Sequence, residues 1–382
     1  MMIAIVNAKI ILESSVLENA VLLIENGTIS AIGQERDVAI PDCAEIYDAK
    51  GLFVGPGFVD IHCHGGGGYR FDENPKDAAN YFLQSGTTTV LPTLYSDIDA
   101  EGYIKAINLV IDCIKDGLSK NVGGLYMEGP YTNEKYGACP EKNKWRGEIQ
   151  SSDYERVVER AGAYAKVWVV APEREGLEPF LKKINKVNPG VTVSVGHSEA
   201  TPSQINAYKR YGIRLLTHCM DATGRTSCPA GTRSCGPDEA CFLDDDMYAE
   251  VICDSQGIHV NPDMLKLILK VKGKDRIVLI SDSFVSYEPS PKELAHIKDL
   301  NFDANGSLCG SNLTLDIACK NMMMHTGASI TDVFLMASRN PARVIGMDRE
   351  IGSIEVGKKA NLVIVNQEIE VDKIMVEGEF VC

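Results

Sequence analysis

Several things are missing from this sequence, and each absence closes off a class. No stretch comes near the roughly 20 apolar residues of a membrane-spanning helix. The first residues, Met1 to Asn7, carry no basic segment followed by a long apolar core, so no secretory leader is expected. No Gly-x-Gly-x-x-Gly follows the first strand of the central region, which weakens a dinucleotide-binding reading. No Cys-x-x-Cys pair occurs among the 12 cysteines. Scattered thiols in a long chain without a leader read as reduced and cytoplasmic. Cys228, Cys235 and Cys241 do lie close together in a polar loop, which leaves a structural zinc there open. Cationic residues are also scarce: 38 Lys and Arg against 53 Asp and Glu give a net charge of −15. The mean field therefore repels nucleic acid and anionic membrane surfaces. A small anionic substrate is not excluded, because a local basic pocket overrides the mean.

What is present is a chain of 382 residues, 45% of them hydrophobic, enough for a large core and a smaller second one. The first stretch alternates short apolar runs with turn signals. Strands are expected at 3–6, 9–12, 20–24, 28–32, 44–47 and 51–54, with Asn26-Gly27 as a hairpin turn. The far end reads the same way at 360–365 and 374–376, with Glu377-Gly378 as another turn. The two termini are therefore expected to build one small β-sandwich, residues 1–55 with 355–382, leaving 56–354 as a separate domain. That middle alternates strands (58–61, 88–91, 124–127, 167–170, 191–195, 214–217, 248–252, 277–280) with helices (76–84, 100–116, 152–165, 177–186, 203–211, 262–272). Asp99 and Ser151 or Ser152 are the expected N-caps. About eight such units imply a parallel sheet closed as a (β/α)8 barrel. A doubly wound open sheet is the alternative.

Histidine placement carries the chemistry. His62 and His64 flank Cys63 directly after the apolar run Phe58–Ile61, and alternate residues of a strand face the same side. Taken alone, the pair also reads as two solvated histidines before a Gly-rich turn. The rest of the chain argues otherwise. Glu128, His197, His218 and Asp282 each follow an expected strand, and His259 lies a few residues after another. Five of the seven histidines sit at strand ends or just beyond, with His296 and His325 the exceptions. Active sites of such barrels form at that end. The mixed nitrogen and oxygen set suits Zn²⁺, Fe²⁺ or Mn²⁺ and not a carboxylate Ca²⁺ cage. Four histidines with one or two carboxylates exceed one tetrahedral site, and two metals sharing a carboxylate would use them all. A remaining carboxylate can carry the proton between an activated water and a leaving group. Asp282 is the candidate, since in a closed barrel the last strand lies beside the first.

With these residues placed, the sequence resembles the amidohydrolase superfamily, and within it the N-acetylglucosamine-6-phosphate deacetylase family. The resemblance rests on Pro56-Gly57-Phe58-Val59-Asp60-Ile61-His62-Cys63-His64-Gly65, on Glu128-Gly129-Pro130-Tyr131 and on Gly196-His197-Ser198-Glu199-Ala200-Thr201. Leu308-Cys309-Gly310-Ser311-Asn312-Leu313-Thr314-Leu315, Asn340-Pro341-Ala342 and Gly357-Lys358-Lys359-Ala360-Asn361-Leu362 extend it over nearly the whole chain. The resemblance implies a barrel with a small β-sandwich, a homodimer, and deacetylation of an N-acetyl amino sugar. It implies Glu128, His197 and His218 around one metal, His62 and His64 around a second, Asp282 as catalytic acid/base, and His259 on the substrate or its oxyanion.

The departures concern substrate recognition. Cys139 stands after Gly137-Ala138 where the family has histidine. Cys219-Met220-Asp221-Ala222-Thr223 replaces an aromatic-Asn-Ala-Met run, so Asp221 and Ala222 take the substrate-facing positions. The Arg-Glu-Pro-Gly phosphate segment is missing, with Arg225 and Arg233 in a cysteine-rich loop as its only candidates. Metal chemistry is thus expected intact, and phosphate recognition altered. Two other classes compete. A dihydroorotase-like or acylamino-acid amidohydrolase would usually have a lysine after the fourth strand, where this chain reads Val169-Val170-Ala171-Pro172-Glu173. A non-catalytic scaffold would have lost ligands, and none is lost.

Overall fold

The computed structural model describes residues 1–381. The chain opens with β1 (Met2–Ile11), β2 (Val16–Glu25), β3 (Thr28–Gln34), β4 (Glu45–Asp48) and β5 (Phe53–Pro56), and closes with β18 (Leu362–Val365), β19 (Val371–Val376) and β20 (Glu379–Phe380). These form one mixed sheet in the order β20-β19-β18-β5-β1-β2-β3, with β4 also on β1. Strand β1 is shared: Ile3–Val6 pair with β4, and Lys9 and Ile10 with β5. The sheet curls. Ile5, Leu22, Ile24, Val54, Leu362 and Met375 from across it meet in one buried cluster. The β2–β3 and β19–β20 turns touch, since a Cβ on Gly27 (φ 83°) would lie 2.7 Å from the Glu377 carbonyl oxygen. Glycine is required there on both counts.

The barrel follows as β6 (Phe58–Cys63), then a two-stranded hairpin of β7 (Gly65–Gly66) and β8 (Tyr69–Arg70), then β9 (Thr87–Tyr95), β10 (Leu125–Glu128), β11 (Ala165–Val170), β12 (Thr192–Val195), β13 (Ile213–Leu216), β14 (Tyr248–Ile252) and β15 (Ile277–Ile280). The eight long strands pair in parallel in chain order. Closure comes where β15 meets β6: the Asp282 N–H donates to the His62 carbonyl at 2.9 Å and the His64 N–H to the Ser283 carbonyl at 2.7 Å. The eight-unit barrel read from the sequence is what forms.

The helices on the outside are α1 (Pro75–Leu83), α2 (Ala100–Lys115), α3 (Ser151–Ala161), α4 (Leu177–Val187), α5 (Pro202–Tyr208), α6 (Pro237–Leu243), α7 (Pro262–Lys272), α8 (Leu315–Thr326), α9 (Ile330–Phe334) and α10 (Asn340–Val344). Helix α4 shows why they dock: Leu177, Phe180, Leu181 and Ile184 recur at helical spacing and are all buried. Asp99 caps α2 by accepting the Gly102 N–H. Helix α3 departs from expectation. It starts at Ser151 with Gln150 in the cap position and no side-chain cap, and the Ser152 hydroxyl donates to Asp153. Strand β9 runs to Tyr95, past Pro92. Opposite it, the Cys63 N–H leaves the ladder and donates to Thr93 Oγ1 at 2.9 Å. An antiparallel pair, β16 (Leu300–Phe302) and β17 (Leu308–Ser311), follows β15.

Candidate active site

Every expected metal residue lies at the C-terminal mouth of the barrel. His62 sits near the end of β6 and Glu128 ends β10. His197, His218 and Asp282 each lie two residues past β12, β13 and β15, and all three adopt left-handed backbone, at φ 45°, 29° and 47°. Such a conformation costs a non-glycine residue energy and persists where the surroundings impose it. All three side chains line the cavity at the mouth.

Glu128 is the centre. Its Oε1 lies 2.7 Å from His197 Nε2 and 3.2 Å from His218 Nε2. Its Oε2 lies 3.0 Å from His64 Nε2 and 3.5 Å from His62 Nε2. Asp282 Oδ1 lies 3.4 Å from His64 Nε2 and 3.5 Å from His62 Nε2. Two metal-sized clusters result: Glu128 with His197 and His218, and His62 with His64 and Asp282. Glu128 reaches into both.

The donors fit a cation. His218 Nδ1–H donates to the Asp221 carbonyl at 3.0 Å, which leaves the Nε2 lone pair facing inward. That Nε2 lies 3.1 Å from His197 Nε2. His62 Nδ1–H donates to Glu250 Oε2 at 3.1 Å, and its Nε2 is buried without a hydrogen-bond partner. Convergent imidazole nitrogens oriented by outer acceptors are what a divalent metal requires. Electrostatics agree. Burial alone would lower His64 and His218, but Glu128 and Asp282 beside them push both up to about 9. Burial opposes ionisation of Glu128, yet His62, His197 and His218 hold it well below the usual range. The carboxylates call for positive charge, and the imidazoles supply it in a metal's place.

The mouth opens into a cavity of about 460 Å³ lined by Glu128, His64, His197, His218, His259 and Asp282. Cys139, Asp221 and Ala222 also line it. His259 Nδ1–H donates to Asp221 Oδ2 at 2.6 Å. Arg225 and Arg233 do not reach the wall: among the described residues both pair with Glu239, at 2.6 and 3.6 Å. The cysteine loop holds no metal cluster among the described residues. Cys228 and Cys235 are exposed, while Cys241 is buried with its thiol toward the Tyr248 carbonyl. The structural zinc considered for that loop is therefore not supported.

Sequence reasoning missed the acids behind the ligands. Glu250, fully buried on β14, orients His62 and accepts from the Tyr126 hydroxyl at 3.0 Å. Asp60 accepts the His62 and Ser281 N–H groups, both at 3.3 Å, and burial pushes it up to about 7 against those bonds. Glu173 accepts from Asn133 Nδ2, the Ser198 hydroxyl and the Glu199 N–H, fixing the turn that bears His197. An acid inside an apolar strand, as in Tyr248-Ala249-Glu250-Val251-Ile252, was the available signal.

Comparison with known proteins agrees with this geometry. The amidohydrolase family model matches residues 53–381. An N-acetylgalactosamine-6-phosphate deacetylase of Escherichia coli O157:H7 is 29% identical over 97% of both chains. An N-acetylglucosamine-6-phosphate deacetylase of Haemophilus influenzae is 27% identical over 99% of this chain and 98% of its own. The crystal structure of the N-acetylglucosamine-6-phosphate deacetylase of Pasteurella multocida superposes with a TM-score of 0.86 at 28% identity, covering 100% of both chains. The chain belongs to the amidohydrolase family. Within it, the chain falls in the group of N-acetylglucosamine-6-phosphate deacetylases and their relatives.

Proposed function

We propose that this enzyme removes the acetyl group from an N-acetylhexosamine 6-phosphate, with N-acetylglucosamine 6-phosphate as the first sugar to test. The observation that carries the reading is Asp282 standing in one of two adjacent metal-sized clusters, with Glu128 reaching into both, over a cavity of sugar-phosphate size. The group's sugar chemistry supports it, although its members named above differ in the sugar epimer. Glu128, His197 and His218 would hold one divalent metal and His62 and His64 a second; zinc, iron and manganese all suit the set. A metal there supplies Lewis acidity, acidifying water and polarising the acetyl carbonyl. Asp282 Oδ1 takes the proton of the attacking water and delivers it to the departing amine nitrogen. His259, its Nδ1–H held by the Asp221 carboxylate, which favours the protonated ring, presents Nε2–H to the carbonyl oxygen as charge builds there. Cys139, Asp221 and Ala222 shape the sugar side. The likeness also supports a homodimer in the cytoplasm; among the described residues no helix is long and apolar enough to cross a membrane.

The wall favours a weakened dependence on phosphate. Asp72, Asp97, Asp221, Glu288 and Asp303 face the cavity against Arg70 and Lys142. Like charges repel a dianion. Arg70 is already engaged by Asp72 at 2.9 and 3.0 Å. The deciding experiment measures kcat/KM for N-acetylglucosamine 6-phosphate, its galacto epimer and both unphosphorylated sugars. Turnover of at least one is expected. A phosphate preference of about 10⁴-fold or more, over about 5 kcal/mol, would reject the weakened-phosphate reading alone. No turnover of any of the four, with turnover of another N-acyl or cyclic amide, would reassign the substrate class.

A further inference from the structure

Residue 221 holds two imidazoles at once. Its backbone carbonyl takes the His218 Nδ1–H at 3.0 Å, and its carboxylate Oδ2 takes the His259 Nδ1–H at 2.6 Å. The turn that carries it is itself fixed. The buried Asp238 carboxylate accepts the Met220 N–H at 2.7 Å and the Thr223 hydroxyl at 2.6 Å. Met220 and Ala222, on either side, are left-handed at φ 68° and 49°. That backbone is held by these contacts and not by residue preference. On the opposite side, the fully buried Asp254 accepts the His259 N–H at 2.8 Å and the Ile258 N–H at 2.9 Å. The His259 backbone is thus pinned, and Asp221 supplies the one hydrogen bond that sets its ring. Among the described residues His259 Nε2 is buried with no hydrogen-bond partner, and His259 lines the cavity wall. With Nδ1–H engaged, Nε2 carries a proton to donate only when the ring is the imidazolium, the form the facing Asp221 carboxylate favours against the opposing effect of burial.

We propose that Asp221 is the positioning residue for His259: its carboxylate fixes the ring so that Nε2 faces the substrate carbonyl. The role rests on the deacetylase reading. It is separable from the metal cluster, because the contact to His218 uses the backbone carbonyl, which every substitution retains. An asparagine at this position can still hold the ring, its Nδ2–H donating to Nδ1 of the tautomer that carries its proton on Nε2, so a hydrogen bond and not the charge is the element required.

The test uses the metal-loaded protein and three variants. Asp221→Ala is expected to keep its metal while kcat falls about 10²-fold, the loss typical of a misplaced oxyanion donor and one that a change in substrate affinity alone would not produce. Asp221→Asn should recover most of that loss. In ¹H–¹⁵N spectra the wild type should show a protected, downfield His259 Nδ1–H signal. The signal should be absent in His259→Gln, which assigns it, and in Asp221→Ala. The proposal is overturned by an Asp221→Ala variant within about threefold of wild-type kcat, by an Asp221→Asn variant as impaired as the alanine, or by a wild-type spectrum without that signal. The spectrum needs neither a folded alanine variant nor turnover. If the wild type deacetylates no N-acetylhexosamine, the functional reading falls while the spectrum still judges Asp221.

Discussion

At the scale of single residues, Asp282 is the sharpest claim. It shares one cluster with His62 and His64 and lies on the cavity wall, so it can meet both metal and substrate. Asp282→Asn keeps shape and volume but cannot take a proton from water. The expected result is a folded protein that retains most of its metal and loses at least 10²–10⁴-fold in kcat, the range typical of a general acid–base group. Activity within a few-fold of wild type would move the proton to another group. The residues of this site fall into two sorts by how visible they were. His62, His64, Glu128, His197, His218 and Asp282 were legible because each stands at a strand end beside glycine, serine, threonine or cysteine. Glu250, Asp60 and Glu173 were not. Their work is to hold something else, and a second-rank hydrogen bond leaves no spacing in the sequence.

At the scale of elements, the strands were the easiest to read. Eight buried parallel strands are short apolar runs, and the helices between them carry apolar residues at helical spacing. What escaped was structure fixed by tertiary contact. Helix α6 begins only where the Glu239 carboxylate accepts the Gly236 N–H, inside a loop that otherwise reads as turn. The segment Leu335–Arg339 before α10 is a π-helix, a local widening that no residue pattern announces. Helix α9 offers a test of pH dependence. Burial would raise the Asp332 carboxyl, but Lys274 at 2.7 Å and the Ser329 capping box hold it below the usual value. A depressed carboxylate stabilises fully above its unfolded pKa, near 4, and that contribution fades as pH falls through the folded value. Asp332→Asn should therefore cost about 1 kcal/mol at pH 7 and progressively less below pH 4. Thermal melts of both proteins from pH 7 to 3 should converge. A constant gap across that range would refute the assignment.

At the scale of the whole molecule, metal and fold should be coupled. Glu128, Asp282 and four imidazoles crowd one buried mouth, and a bound cation stabilises the folded state by mass action. Protein prepared without chelator should carry one to two equivalents of a transition metal by elemental analysis. Stripping it should lower Tm by several degrees and abolish turnover, with both restored by zinc, iron or manganese. At a free metal concentration about 100 times Kd the stabilisation is about 2.7 kcal/mol. Full hydrolytic activity in metal-free protein would sink the mechanism altogether.

The closing seam also sets an order in time. Asp282 is bonded to the His62 carbonyl across 220 positions of sequence. In the terminal sheet, β5 lies between β1 and β18. A chain emerging from the ribosome therefore displays its first histidines long before the acid that makes them useful. Strands β1 to β5 wait, the β5 edge bare, until β18 is made. The reaction centre waits for Asp282 and the sheet for β18, so a nascent chain that lacks them is spared hydrolytic chemistry while its unpaired strand edges remain the part most in need of protection.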